Sequence, residues 1–173
     1  MMEYRENSLT YKEYIELRSS VGWNNFAKDQ VIKAVNNGLY SVTVIENDAI
    51  IGMGRLIGDG IYYLIVDVVV KPEFQKRGIG SKIIDLLLAY VDDKTSDGGR
   101  ASVQLIAEKE KENFYIKKAF KCIPHNGWDR DQTPVSQRSV IFNLYFFYNL
   151  ISTQHLTVLT RGVILQLEQM QGT

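Results

Sequence analysis

The sequence predicts an α/β fold: a mixed sheet with a parallel pair at its centre and helices on both faces. Three observations lead there. Ile61 to Val70 is apolar on both faces apart from Asp67, as expected of a central strand covered from each side. Segments of helical periodicity precede and follow it. A strand, a helix and a further strand then succeed one another from residue 61 to 107, an order that joins parallel neighbours.

Taken in order, Leu9, Tyr14, Leu17 and Val21 recur at helical spacing behind Ser8, a candidate N-cap, so the first helix is expected near 10–19. A second, near 25–36, ends at Asn37-Gly38, which suits a left-handed C-cap. Residues 40–46 and 49–57 read as two strands joined at Asn47-Asp48, a hairpin signal. Gly58-Asp59-Gly60 turns the chain into the central strand. The third helix is expected from Gly78 to Asp92, with Ile79, Ile83, Leu86, Leu87 and Tyr90 facing inward. After a loop at 95–99 come a strand at 102–107 and a short helix near 109–118.

The 173 residues carry 20 basic and 20 acidic side chains, so no global field favours nucleic acid or a membrane surface. The length suits one domain with a substantial core. One cysteine, Cys122, precludes an internal disulfide, and no charged-then-apolar leader opens the chain. A cytoplasmic protein is the expectation. Cys122 reads as a small buried hydrophobe; a catalytic thiol would need His125 as its base. Val140 to Ile151 is too short for a membrane span.

The chemistry concentrates at Val68-Val69-Val70-Lys71-Pro72 and the turn Gln75-Lys76-Arg77-Gly78-Ile79-Gly80-Ser81. A strand that passes through a glycine turn into a helix offers unpaired N–H groups and partial positive charge to an anion. Gly78 and Gly80 admit a diphosphate to the main chain, and Lys76 and Arg77 add cationic charge. The dinucleotide fingerprint is excluded because Ile83 stands where its third glycine belongs. The P-loop is excluded by the order Gly80-Ser81-Lys82.

This Gln-x-x-Gly-x-Gly turn resembles the acyl-coenzyme A motif of the GNAT superfamily of N-acetyltransferases. The stretch Asn113-Phe114-Tyr115-Ile116-Lys117-Lys118-Ala119-Phe120 resembles the family's second motif. The resemblance covers roughly residues 3 to 125. It implies a sheet of six to seven strands with a helix-helix-strand-strand opening, and acetyl transfer from acetyl-coenzyme A, without a metal, to a primary amine of a small molecule or peptide. It also implies that Val68, Val69 and Val70 lend main-chain groups to the pantetheine arm, with the Val70 N–H polarising the thioester carbonyl. Residues Gln75 to Ser81 would hold the diphosphate. Tyr115 would protonate the departing thiolate, the alternative being a core aromatic. Two family positions differ here: Glu108 replaces an asparagine seven residues before the motif tyrosine, and Ala119 replaces a glycine. They leave room for a non-catalytic acyl-coenzyme A sensor as the rival function.

Asp67 in an apolar strand demands a cause. It either accepts or anchors the proton-bearing amine, or it is tied to an arginine such as Arg55. Trp23, Asn24 and Asn25 lie between the first two helices, where the family closes over its acceptor; Tyr62 and Tyr63 are weaker candidates for the same contact. A domain at 1–130 is thus followed by an extension at 131–173, in which only Asp131, Arg138, Arg161 and Glu168 are charged. There, Val140 to Tyr148 can form a strand, and Leu156, Leu159, Val163, Leu167 and Met170 fall at helical spacing. Such an apolar end is expected to pack on its own domain or to form a homodimer.

Overall fold

The computed structural model describes residues 1–108 and 110–122, together with the backbone of 144–150. It is a seven-stranded sheet with the order β1-β2-β3-β4-β5-β7-β6. The five strands β1 (Met2–Glu6), β2 (Tyr40–Glu46), β3 (Ala49–Gly58), β4 (Tyr62–Val70) and β5 (Ala101–Ala107) form its body. β7 (Leu144–Leu150) runs antiparallel along β5, and the two-residue β6 (Lys121–Cys122) closes that edge. β4 and β5 are the parallel pair; the other pairings are antiparallel.

Helix α3 (Ile79–Lys94) covers one face and α1 (Tyr11–Ser20) with α2 (Lys28–Asn36) the other, which gives two cores. On the α3 side Ile79, Ile83, Ile84, Leu87, Leu88 and Val91 are buried against Val42, Val44, Ile51, Leu56, Ile65, Val103 and Leu105. Each such side chain contributes about 1.5–3 kcal/mol on leaving water. The expected inner face was narrower and slightly rotated, since Leu86 and Tyr90 are only partly buried. Gly52 and Gly54 of β3 let this helix approach closely: a Cβ at Gly54 would collide with Ile83. The opposite core gathers Leu9, Tyr14, Leu17 and Val31 on Ile45, Ile50, Met53 and Val69.

Several boundaries differ from expectation for identifiable reasons. β1 was not foreseen: five residues, three of them charged, pair with β2 nearly forty positions away. Thr10, not Ser8, caps α1 through a capping box with Glu13, while the Ser8 hydroxyl meets that of Thr43 at 3.0 Å. α2 starts at Lys28 rather than 25, because Asn25 donates to Ser19 Oγ at 2.7 Å and Arg18 to the Asn24 carbonyl at 2.8 Å, holding this stretch against α1. Its C-cap, Asn37, has φ −96° and is not left-handed. At the hairpin, Asn47 and Asp48 have φ 50° and 62°, the two left-handed residues of a type I′ turn. The last short helix, α4, is confined to Glu112–Ile116. The amphipathic helix expected beyond residue 155 and the environment of His125 lie outside the described residues.

Ala119 ends the turn after α4 at φ 63°, a conformation that suits glycine. Replacing Ala119 by glycine is expected to raise stability by about 0.5–1 kcal/mol, the relief of left-handed strain less the added chain entropy. Urea unfolding followed by circular dichroism measures the shift.

Candidate active site

The sheet opens where it is needed. β4 follows β5 only as far as Ile65 beside Leu105. Against β3 the register slips between Met53 and Arg55, so that Gly54 faces both Asp67 and Val68, and Asp67 takes φ 53°. This bulge increases the local twist and turns the C-terminal half of β4 away from β5. The result is a cleft of about 800 Å³ between the diverging strands. Its floor is Ile65 to Val70, with Leu105 and Ile106 opposite, and the head of α3 and α4 at its sides.

At the head of α3 the chain leaves main-chain N–H groups open beside the cleft. Gln75 Nε2 donates to the Val70 carbonyl at 2.9 Å, fastening the turn to the strand. Lys76 and Gly78 are left-handed, and Gly78 is the N-cap of α3 without a side-chain cap. The first bond of the helix runs from the Lys82 N–H to the Gly78 carbonyl at 3.0 Å. The N–H groups of Ile79, Gly80 and Ser81 precede it and have no carbonyl of the helix to bond. Gly80 keeps this face low beneath Phe114, whose ring a Cβ would meet at 3.5 Å. A diphosphate fits this arrangement. Gln75, Lys76, Gly78, Ile79, Gly80 and Ser81 line the cleft as expected, but Arg77 does not. Its guanidinium is held by both oxygens of Glu46, at 3.0 and 2.7 Å, and lies against the Phe74 ring.

Along the floor, the Lys71 N–H donates to the Ile51 carbonyl at 2.9 Å. Antiparallel bonding alternates, so Val69 is directed toward β3 and the Val70 main chain toward the opened side. The Val69 side chain is buried in the opposite core. Val69 therefore offers the cleft neither a side chain nor an open main-chain hydrogen-bonding group, which corrects the expectation for this residue.

Tyr115, Glu108, Trp23 and Asp67 also line the cleft. The Tyr115 ring stands edge-on to Phe114 and Phe120, with centroids 4.9 and 6.2 Å away. Burial, aided by the Glu108 charge, pushes its hydroxyl up to about 12, so it keeps its proton throughout the neutral range. Tyr40, stacked on Tyr90, is likewise pushed up to about 12, chiefly by burial. A tyrosine pKa raised by folding stabilises the fold fully below the ordinary value of 10.0 and loses that contribution as pH rises through 12. An alkaline unfolding transition is therefore expected in that window. A circular dichroism titration should show it moved upward in Tyr40→Phe.

Asp67 is engaged on every side. Its Oδ1 accepts from Arg18 at 2.8 Å, and its Oδ2 from Arg55 at 2.8 Å and from the Tyr14 hydroxyl at 3.2 Å. Both guanidiniums are largely buried, with side chains 11% and 7% exposed. The tie to Arg55 anticipated as one cause of Asp67 is present, and Arg18 is a second partner that the sequence did not reveal. Arg18 also lies against the rings of Tyr14, Trp23 and Phe26.

Two acceptor-contact expectations need correction. Tyr63 is 2% exposed in the α3-side core, and its face of β4 precedes the bulge. Asn24 is exposed and does not line the cleft; its carbonyl serves Arg18. Trp23 does reach the cleft, and its Nε1 donates to Glu108 Oε1 at 2.7 Å, joining the α1–α2 loop to the end of β5. Phe114, Lys111 and Lys117 also line it and were not singled out. Glu108 had been visible only as a departure from a motif. Among the described residues no cluster of three or more metal-ligating side chains occurs, and no helix is long and apolar enough to cross a membrane.

Comparison with known proteins agrees with this geometry. Residues 38–122 match the family model of the acetyltransferase (GNAT) domain. An uncharacterized N-acetyltransferase ycf52-like protein of Prochlorococcus marinus is 30% identical over 117 residues, 65% of this chain and 63% of that protein. The chain thus spans less than two thirds of the curated relatives it matches. A probable acetyltransferase of unknown function from Staphylococcus aureus superposes with a TM-score of 0.68 at 27% identity, covering 78% of this chain and all of that one. N-acetylglutamate synthase from Neisseria gonorrhoeae, solved with coenzyme A and L-arginine, shares the fold at a TM-score of 0.61 and 11% identity, over 86% of this chain and 33% of that one.

Proposed function

We propose, because this chain belongs to the GNAT superfamily of N-acetyltransferases, that it moves an acetyl group from acetyl-coenzyme A to a primary amine of a small molecule or peptide by direct attack in a ternary complex. The observation that carries this reading is a single cleft lined both by the N–H groups that open α3 and by a protonated Tyr115. When bound, acetyl-coenzyme A supplies a thioester whose carbonyl carbon takes the amine nitrogen and whose sulfur leaves.

The protein's own groups divide the remaining work. The N–H groups of Ile79, Gly80 and Ser81, with Lys76, hold the diphosphate by charge and hydrogen bonds. The main chain of Val68 and Val70 on the opened side pairs with the pantetheine amides as a neighbouring strand would. The Val70 N–H donates to the thioester oxygen as negative charge develops there. Tyr115 gives its proton to the departing sulfur. Asp67, already occupied by two arginines, fixes α1 and the bulge instead of carrying the amine's proton. Trp23 covers the acceptor end. The cytoplasm is the compartment in which this chemistry is placed, and a homodimer through the segment after Arg130 is part of the proposal. Sedimentation of a chain ending after Leu150, which keeps β7, tests the dimer.

Isothermal titration with acetyl-coenzyme A and with dephosphorylated pantetheine tests the cleft. Binding is expected only when the diphosphate is present, and a screen of primary amines should then release free thiol. Absence of both binding and thiol release would overturn the reading, whereas binding without release under any amine would favour the sensor.

A further inference from the structure

We propose that Glu108 is the anchor for the acceptor's ammonium group, a role that presupposes the acetyl-transfer reading for its place in a reaction but not for the binding itself. Two carboxylates line the cleft beside Tyr115. Asp67 is neutralised by Arg18 and Arg55, each at 2.8 Å, and has no charge left to offer. Glu108 forms no ion pair among the described residues; the neutral Trp23 indole donates to its Oε1 at 2.7 Å. That bond orients the carboxylate without cancelling it, so Oε2 remains for a cation.

The position is also right. Glu108 and Tyr115 line the same cleft, so an amine held by Glu108 shares it with the group that protonates the leaving sulfur. The surrounding wall is apolar, formed by Val21, Trp23, Leu105 and Ile106. Lys111, one of four lysines lining the cleft with Lys76, Lys117 and Lys118, bonds the Glu108 carbonyl through its main-chain N–H at 3.1 Å. The chemistry recognised is therefore a cationic amine on an apolar body. A carboxylate next to that amine would be repelled by Glu108.

Glu108→Gln tests the charge alone, because glutamine keeps an oxygen that accepts from Trp23. The probe is n-butylammonium. Its binding is read by Trp23 fluorescence in a Trp128→Phe background, where Trp23 is the sole indole, and its turnover by thiol release. Glu108→Gln is expected to weaken binding and to raise the amine KM by about tenfold, the scale of one charge-assisted hydrogen bond. The KM for acetyl-coenzyme A should stay unchanged, and Glu108→Asp should recover part of the loss. An unaltered amine midpoint in Glu108→Gln, or no saturable response in the parent protein, would overturn the proposal. A Glu108-dependent response without thiol release under any amine would support the anchor while removing the acetyl-transfer reading.

Discussion

Tyr115→Phe is expected to lower kcat by about 10²- to 10⁴-fold, the usual worth of one general acid, while the affinity for acetyl-coenzyme A stays within a factor of about two. The separation follows from geometry. The hydroxyl belongs to α4, whereas the proposed diphosphate contacts belong to the turn at Gln75 to Ser81. Removing one oxygen leaves the edge-on packing against Phe114 and Phe120 in place. A hydroxyl pushed up to about 12 keeps its proton across the assay range, so Tyr115 itself sets no limb of the pH profile below that value. Rates measured with saturating amine, beside titration calorimetry of the same variant, check both parts. Full activity in Tyr115→Phe would move the acid role to solvent.

Asp67→Ala is expected to destabilise the fold by about 3–5 kcal/mol, because it leaves the Arg18 and Arg55 guanidiniums buried with no counter-charge. The Tyr14 hydroxyl loses an acceptor as well. Alanine at φ 53° adds strain that asparagine avoids, so Asp67→Asn should cost less and isolate the charge. Urea unfolding of the two variants separates these contributions. A change below about 1 kcal/mol in Asp67→Ala would show that water reaches both arginines. It would also undo the view that Asp67 holds the bulge through these bonds.

Much of the fold is legible in the chain because its signals are local. The Asn47-Asp48 turn, the apolar central strand and the apolar stripe of α3 each report on a few consecutive residues; the turn and the strand lie where expected, and the stripe is rotated slightly from Leu86 and Tyr90 toward Ile84, Leu88 and Val91. β1 is illegible for the converse reason: a short, charged edge strand is defined by a partner distant in sequence. The starts of α1 after Thr10 and of α2 at Lys28 depended on which of several polar residues found a tertiary partner.

The site divides along the same line. Its glycine turn is a contiguous run, so Gln75 to Ser81 could be picked out from spacing, and the sequence by itself determined that this segment would open a helix with unpaired N–H groups. It could not decide that Arg77 would turn to Glu46, which lies on another strand. Nor could it decide what Asp67 was for. A lone carboxylate in a strand is equally a base or half of an ion pair until its neighbours are known, and those neighbours are Arg18, from α1, and Arg55, from β3. Glu108 and Trp23 stand 85 positions apart and meet only because the bulge parts β4 from β5 and the α1–α2 loop spans the gap. Composition and periodicity fix which segments become strands and helices; charge pairing across the sheet depends on distances that only the folded chain sets.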